Sequence, residues 1–322
     1  MTENDLKSAA AQLVRRLRRQ RPLRAGSLIV TIFGDSIMPR GGAIALGSLI
    51  RVAAPFGLNQ RLVRTATARL VHDGWLTARR VGNLSEYRLS AEGRERFAEA
   101  TTRIYAGPVT GWSGHWSLIV LAPLPAAQRQ KVRQELLWRG FGEIRSGVFA
   151  HPENLPARLE APSAAPGWWG EALLFEARLT GTEAARRLVA LGWDLAELGR
   201  RYAAFSARFA AAHAAAAASA RPTPETAFII RTLLIHEYRR LHLRDPLLPV
   251  SLLGAQWPGT RAAELCRDLY ARLFTPSETH LTQVAALLDG PLPPPDAAVL
   301  DRFGGIGRAS IRGPAFEQFD DP

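Results

Sequence analysis

Residues 45–90 read ALGSLIRVAAPFGLNQRLVRTATARLVHDGWLTARRVGNLSEYRLS, and this stretch decides the fold of the N-terminal third. An apolar helix comes first and ends at a Pro-Phe-Gly turn. A second helix with several arginines follows, and two strand-like runs close the stretch around Gly82 and Asn83. Helix, turn, helix and hairpin in this order predict a winged helix-turn-helix, which favours DNA over a small-molecule substrate.

The second predicted helix, 60–73, has two different faces. Asn59 is a favourable cap for its first turn, and Gly74 ends it. At about 100° per residue, the apolar side chains gather on one side: Leu62, Val63, Ala66 and Leu70. Hydrogen-bond donors gather on and beside the opposite side: Gln60, Arg61, Arg64, Thr65 and Arg69. We expect this donor face to contact base edges in the major groove.

The hairpin after this helix is the predicted wing. Arg79, Arg80 and Asn83 are placed to contact phosphates or the minor groove. A winged fold can also serve as a protein-contact module, and the local pattern leaves this alternative open.

Positive charge is concentrated in the same third of the chain. Residues 1–106 hold 18 basic and 8 acidic residues, whereas the remainder holds 23 basic and 21 acidic residues. An arginine-rich solvated surface would explain why only two lysines occur, but it would not explain the concentration at one end. A basic head on a nearly neutral body is typical of a protein that binds a polyanion.

Composition indicates a globular protein in which 47% of the 322 residues are apolar and 22% are charged. No apolar run approaches the length of a membrane span, and the polar N-terminus MTENDLKS predicts no secretory signal. The single cysteine, Cys266, cannot form an internal disulfide, so we expect a cytoplasmic protein. Ser and His residues lack a nucleophile context, and we predict no enzyme, cofactor or metal site.

The middle of the chain predicts a ferredoxin-like domain. Strands are expected at 115–123, 142–152 and 171–179, and helices at 126–140 and from 182 onwards; this order is most of a β-α-β-β-α unit. The strand at 115–123 is apolar on both faces and should be central. The apolar stripe 188–209 fits either a dimer seam or packing onto the sheet, and the glycines within it favour packing.

The C-terminal part predicts helices at 225–243 and 260–274, followed by a tail rich in Pro and Gly. His236 and His242 are six residues apart, which places them on opposite helix faces and argues against a metal site. Four arginines of this part could bind an anionic ligand or form a salt-bridged surface: Arg231, Arg239, Arg240 and Arg244.

These patterns together predict an α+β protein with an N-terminal winged helix-turn-helix, a central ferredoxin-like domain and a helical C-terminal domain. The predicted segments are a basic helix, the winged domain, the central domain, the helical domain and a mobile tail: 1–24, 25–106, 111–212, 222–288 and 289–322.

Several motifs in this order resemble the PaaX-type repressors of phenylacetic acid degradation. They are GSLIVTIFGDSIMPRGG, LGSLI, LNQRLVRTATARLVHDGWLTARRVGN, YRLSAEGR and HEYRRLHLRDPLLP with a later WPG. The resemblance covers about residues 20–275. It implies a winged helix, a middle domain akin to the Cas2 fold, and a homodimer on a palindromic operator. It also implies that an aryl-CoA thioester, typically phenylacetyl-CoA, releases the repressor from its DNA.

The resemblance assigns the donor face of helix 60–73 to base recognition. For the effector we expect the four C-terminal arginines with aromatic contacts from Trp168, Trp169 or Trp257. One departure concerns the wing, where Asn83 stands in place of the basic residue that follows the wing glycine in the family, and Glu86 comes soon after. A weaker grip on phosphate is therefore expected.

Two alternatives to this reading stay open at this stage. A regulator of a different acyl-CoA pathway would show the same pattern. A Cas2-like nuclease is disfavoured because its first strand, HWSLIVLAPLP, carries no carboxylate for a metal.

Overall fold

A computed structural model describes residues 3–20, 25–107, 109, 111–153, 172–218 and 222–306. The chain forms two compact units. Unit 1 comprises Met1–Gly107, Ala204–Arg240 and Ala262–Pro322, and unit 2 comprises Pro108–Ala203 and Leu241–Arg261. These units interleave along the chain, whereas the sequence pattern places its domains one after another, and the predicted domain boundaries stay predictions.

The helices and strands of the N-terminal region follow the predicted order. They are α1 (Glu3–Arg19), α2 (Ala25–Ile32), β1 (Ala43–Ala45), α3 (Leu46–Ala53), α4 (Gln60–His72), β2 (Leu76–Val81), β3 (Leu84–Leu89) and α5 (Ala91–Ile104). Leu6, Leu13 and Leu17 follow helical spacing, which predicts an apolar stripe on α1, and all three are buried, which fixes the rotation of this helix in unit 1.

A three-stranded antiparallel sheet in the order β1-β3-β2 closes this region. Ala43 pairs with Arg88, and Arg79 pairs with Glu86 across the hairpin. Helix α4 packs on α2 and α3, and its carboxyl end leads directly into β2. The hairpin is therefore attached to the same core that holds α4.

The sequence GDSIMPRGG (34–42) predicts a turn, but this segment is largely helical. A π-helical turn covers Phe33–Ile37, and a 3-10 turn covers Met38–Arg40. Burial of Phe33 and Ile37 stabilises the helical path, and it carries Asp35 into the core of unit 1.

Unit 2 contains the strands β4 (His115–Leu121), β5 (Gly142–Arg145), β6 (Val148–His151) and β7 (Ala172–Arg178), with helices α6 (Ala126–Trp138) and α7 (Thr182–Gly192). The sheet is antiparallel in the order β5-β6-β4-β7, so β4 is central as predicted. One face packs on α6 through Ile119 and Leu136. The other packs on α7 through Trp116 and Val189.

Two predictions in this region were wrong in detail. The single strand expected at 142–152 is two strands, because the chain reverses at Gly147, whose φ is +80°. The long helix expected from 182 is broken at Trp193, after which α8 (Leu195–Ala218) begins. Leu188 packs against the cluster on the sheet while Leu191 is 65% exposed, so the stripe packs on the sheet at its start and is not one continuous buried seam.

The remaining helices are α9 (Pro224–His242), α10 (Val250–Leu253) and α11 (Pro258–Val284). Helix α11 is longer than the predicted 260–274, since it continues through Pro276. Pro276 cannot donate a backbone hydrogen bond, but the Ser277 hydroxyl donates to the Leu273 carbonyl beside it (2.6 Å). None of the helices in the described ranges is both long enough and apolar enough to cross a membrane.

The segment after residue 289, expected to be a mobile tail, is folded as far as it is described. A 3-10 segment covers Ala297–Gly304, and Arg302 and Phe303 are buried. The N–H of Phe303 donates to the Tyr105 carbonyl (3.0 Å), which ties this segment to α5. The Pro and Gly content of this segment predicts a mobile tail and does not indicate that Arg302 and Phe303 are buried. Residues 307–322 lie outside the described residues, as does APSAAPGWWG (161–170), which the sequence predicts to be a loop.

Candidate nucleic-acid interface

Helix α4 is held by a cap, a turn and a buried face. The N–H of Leu62 donates to Asn59 Oδ1 (2.9 Å), which confirms the predicted cap. Gly57 in the preceding turn has φ of +83°, a conformation that favours glycine. The buried residues are Val63, Ala66, Thr67 and Leu70, whereas Leu62, expected in the core, is only half-buried.

Thr67 is the inward residue that the sequence analysis missed. Its hydroxyl donates to the Val63 carbonyl (3.0 Å), so a polar side chain is buried on α4 without an unsatisfied group. Thr67 shares the helix face of Val63 and Leu70, so a helical wheel that admitted threonine as a buried residue would have found it.

The opposite face of α4 is open to solvent along its whole length. All five residues expected to recognise DNA are exposed: Gln60, Arg61, Arg64, Thr65 and Arg69. Within the described residues, no ion pair joins an arginine of this face to a carboxylate. With its amide oxygen turned towards Arg64, Gln60 accepts from Arg64 Nε (3.1 Å). The face therefore presents unneutralised positive charge and hydrogen-bond donors.

The hairpin of β2 and β3 ends in a two-residue turn. Gly82 takes φ of +56° as the first residue of the turn, the arrangement of a type II′ hairpin. Arg80 and Asn83 are exposed near this tip, where the sequence predicts them. Val81 and Leu84 flank the turn and are also exposed, so the tip is not held in the core of unit 1.

Arg79 differs from Arg80 because it already has acidic partners. Its guanidinium donates to Asp289 and lies 3.5 Å from a carboxylate oxygen of Glu86. The hydrogen bond to Asp289 is the main reason that the pKa of Arg79 lies above its ordinary value. Three residues of the wing are expected to contact DNA. Arg79 is the one whose positive charge is already partly neutralised by carboxylates of the protein.

Glu86 organises the base of the hairpin. It is buried, accepts from the N–H of Leu288 (3.1 Å), and has Arg79 and Arg88 within salt-bridge distance. In the sequence, Glu86 is only part of the wing's departure from the family pattern, which predicts weaker contact with phosphate. The structure shows that this carboxylate joins the hairpin to the segment after α11.

The four candidate effector arginines lie in different units. Arg231, Arg239 and Arg240 belong to unit 1, whereas Arg244 belongs to unit 2, as does Trp257. Trp257 packs edge-on against Tyr202 (ring centroids 6.1 Å apart). Trp168 and Trp169 lie outside the described residues.

Arg231 is the centre of a buried ion cluster. Its Nε lies 3.0 Å from Asp35 Oδ2, its Nη1 donates to Glu278, and its guanidinium lies over the Tyr270 ring. Arg302 also pairs with Asp35 (3.0 Å). Burial by itself raises the pKa of Asp35, but the two arginines and the hydroxyls of Tyr105 and Tyr270 outweigh it, so the pKa is lowered.

Arg239 and Arg240 differ in burial and in their hydrogen bonds to the protein. Arg239 donates to the Thr31 hydroxyl (2.8 Å) and the Ser27 carbonyl (2.7 Å), and burial lowers its pKa to about 10. Arg240 is half-buried and lies 3.7 Å from Glu237. Arg244 is exposed. Neither a salt-bridged surface nor an open anion site describes all four arginines.

His236 is a buried histidine on α9 beside these arginines. Its Nδ1 lies 2.9 Å from the Thr31 hydroxyl, and burial, with the nearby Arg239 and Arg240, lowers its pKa to about 3. The ring is therefore neutral at physiological pH. Across the part of the chain that the structure describes, no group of three or more His, Cys, Asp or Glu residues could hold a metal.

Comparison with protein families covers most of the chain in three consecutive matches. The sequence model of PaaX-like proteins matches residues 24–93, that of the PaaX central Cas2-like domain matches 109–189, and that of the PaaX-like C-terminal domain matches 193–283. The chain belongs to the PaaX family. The resemblance noted in the sequence is thereby confirmed.

The chain is also similar to individual proteins. The chain is 35% identical over 289 residues to the transcriptional repressor PaaX of Escherichia coli, a match that covers 88% of this chain and 92% of the repressor. It is 26% identical to an uncharacterized protein of Mycobacterium tuberculosis of known structure, with a TM-score of 0.50 over 72% of this chain and 89% of that one. Membership of the PaaX family makes this chain a DNA-binding transcriptional regulator and not an enzyme.

Proposed function

We propose that this PaaX-family chain is a transcriptional repressor whose α4 enters the major groove of its operator. The exposed donor face of α4 carries this proposal, because Val63 and Leu70 hold the other face in the core, and because the described part of the chain places no carboxylate in an ion pair with Arg61, Arg64 or Arg69. Arg64 and Gln60 have the chemistry to recognise guanine and adenine edges, respectively.

The same proposal assigns α2 to β3 to a winged helix-turn-helix. The order α2, β1, α3, α4, β2, β3 and the pairing of β3 with both other strands support this fold. In it, Arg80 and Asn83 at the hairpin tip contact phosphate or the minor groove. Arg79 contributes less to DNA binding, since Asp289 and Glu86 compete for its charge.

The body of the protein is proposed to couple DNA binding to a metabolite. The sheet order β5-β6-β4-β7 supports a ferredoxin-like, Cas2-like fold for unit 2, because the first strand lies between the third and fourth in such folds. We propose a cytoplasmic homodimer that places two copies of α4 about 34 Å apart on a palindromic operator.

The proposed effector is an aryl-CoA thioester such as phenylacetyl-CoA, and the regulated genes are those of aromatic-compound breakdown. Its phosphates need a cationic partner, and Arg244 is the candidate, because it is exposed and belongs to unit 2 together with Trp257. Arg231 is excluded because Asp35 and Glu278 enclose its charge. Trp257 is the proposed aryl contact among the described residues. A thioester of another acid is the alternative effector.

Capture of sheared genomic DNA by the full-length protein tests the repressor proposal. Enriched fragments should lie upstream of genes for aromatic or acyl-CoA breakdown, and Arg64→Ala should lose that enrichment. Arg187→Ala, which removes an exposed arginine of α7, is the control and should retain it. Absence of any enriched fragment with the wild-type chain would support a protein-contact role instead.

Release of bound DNA by phenylacetyl-CoA tests the effector proposal. Free coenzyme A and acetyl-CoA are the comparison ligands, since they share the phosphates but lack the aryl group. Arg244→Ala should raise the phenylacetyl-CoA concentration needed for release without changing DNA affinity in its absence. Equal release by all three ligands would reject the aryl specificity.

A further inference from the structure

The basic helix α1 is a feature that neither the recognition helix nor the wing explains. Its acidic residues, Glu3 and Asp5, lie in the first turn, and its last turns carry Arg15, Arg16, Arg18 and Arg19. Arginines near a helix carboxyl end stabilise the helix dipole, which is a sufficient reason for one or two of them. Four exposed arginines are more than this stabilisation of the helix requires.

Packing fixes the direction in which these arginines point. Leu13 and Leu17 are buried in unit 1, so the intervening Arg15 and Arg16 and the following Arg18 and Arg19 lie on the outer surface of α1. Within the described residues, no carboxylate lies within salt-bridge distance of these four arginines, and the pair of Lys7 with Glu3 lies near the other end of α1. Its carboxyl end therefore carries a cluster of exposed, unneutralised guanidinium groups.

The position of Arg18 links this cluster to the recognition helix. Helix α1 contacts the turn Ala54–Phe56, and the side chain of Arg18 lies against Gly57 so closely that a Cβ there would be 2.8 Å from Arg18 Nε. Gly57 precedes the first residue of α4 by three positions. Arg18 is thus beside the end of α4 that leads into the groove in helix-turn-helix proteins.

We propose that the carboxyl end of α1 is a phosphate-contact surface that extends the DNA interface beyond the winged helix. When α4 enters the major groove, the flanking phosphate backbone passes the turn at Gly57, where Arg18 and Arg19 can neutralise it. Arg15 and Arg16 widen the positive surface one turn further along α1. This inference rests on the proposed function of α4, and it adds affinity without base specificity.

The test measures the DNA affinity of the full-length Arg18→Ala/Arg19→Ala variant and of the wild type in a salt series. Each protein is titrated with two short duplexes, one of a selected sequence and one of the same sequence shuffled. Each phosphate contact contributes about 0.9 to the slope of log affinity against log salt. The double variant should reduce that slope by about 1.8 on both duplexes, with equal loss of affinity. Arg18→Lys/Arg19→Lys should restore most of the slope.

A matched control removes the same charge elsewhere. Arg187→Ala/Arg200→Ala deletes two exposed arginines of unit 2 and should leave the slope unchanged. Thermal unfolding checks that α1 still packs, since alanine favours a helix. A folded double variant with a wild-type slope would overturn the α1 surface. Failure of the wild-type chain to bind either duplex would instead overturn the proposed function.

Discussion

Asp289 accepts a hydrogen bond from the Arg79 guanidinium across 210 positions of sequence. The contact joins the base of the β2–β3 hairpin to the segment after α11. That segment is itself fixed, because the carbonyl of Ala286 accepts from the N–H of Ala45 (3.0 Å) and the N–H of Ala286 donates to Ser48 Oγ (3.0 Å). The proposed wing therefore has a carboxylate held beside one of its arginines.

Replacement of Asp289 should strengthen DNA binding. Asp289→Asn removes the charge that competes with phosphate for Arg79, so affinity should rise and the salt slope should steepen by about 0.9. Asp301→Asn makes the same charge change at another exposed position and should have little effect. Titrations should show no gain for Asp289→Asn when Arg79 is already alanine; weaker binding would mean that Asp289 positions the hairpin for DNA.

The buried pair of Asp35 and Arg231 should dominate the stability of unit 1. Asp35→Asn leaves Arg231 and Arg302 buried without their shared carboxylate, which typically costs about 3–5 kcal/mol of unfolding free energy. Breaking the exposed pair of Arg187 and Glu183 should cost less than about 1 kcal/mol. Chemical denaturation measures both values, and similar small losses would contradict the central role of Asp35.

Stability should fall in mild acid because of His236. Its pKa is about 3 in the folded chain and about 6.5 when unfolded, so below pH 6.5 the unfolded chain binds the proton first. The unfolding free energy should therefore decrease by about 2.3 kcal/mol between pH 6.5 and pH 4.5, because the slope rises from half of about 1.36 kcal/mol per pH unit at pH 6.5 to nearly its full value below pH 5.5. The pKa of Asp35 lies below its ordinary value of 3.8, so the stability that its carboxylate contributes is lost only at lower pH.

Denaturation of His236→Gln across that pH range checks this assignment. The variant should show a shallower loss of stability, although not a flat one, because burial also lowers the pKa of His280. His72→Gln changes an exposed histidine of α4 and should retain the wild-type dependence. A His236→Gln curve parallel to that of the wild type would show that the buried ring does not control acid stability.

The turn before α4 should tolerate no side chain at Gly57. Gly57→Ala places a Cβ against Arg18 at a φ of +83°, so it should destabilise unit 1 by at least about 1 kcal/mol. Gly26→Ala lies in open space within α2 and should be neutral or slightly stabilising. Thermal unfolding distinguishes the two, and equal melting temperatures would contradict the close packing of α1 on this turn.

Local sequence patterns predicted the parts of the molecule that depend on neighbouring residues. Asn59 caps α4, the donor face of that helix is exposed, and β4 is central because its pattern is apolar on both sides. Leu62 is only half-buried although its place on the helix predicts burial, whereas Thr67 is buried because its hydroxyl donates to the Val63 carbonyl on the preceding turn.

Contacts between distant residues could not be predicted in the same way. Asp35 appeared to lie in a glycine-bounded turn, and Arg302 appeared to lie in a tail, yet they form an ion pair. The sequence predicts that Arg79 contacts DNA, but its guanidinium also donates to Asp289. A single sequence carries no periodicity that links such positions, since the pairing arises only when the intervening elements pack.

Selection of duplexes from a random library by the wild-type chain and by Arg64→Ala tests the central claim most directly. We expect the wild type to enrich a palindromic sequence and Arg64→Ala to lose preference at one position in each half-site, by about 1–3 kcal/mol. Arg187→Ala should enrich the wild-type sequence. If Arg64→Ala also enriched that sequence with an unchanged preference at every position, α4 would not recognise bases through Arg64, and the account would be contradicted.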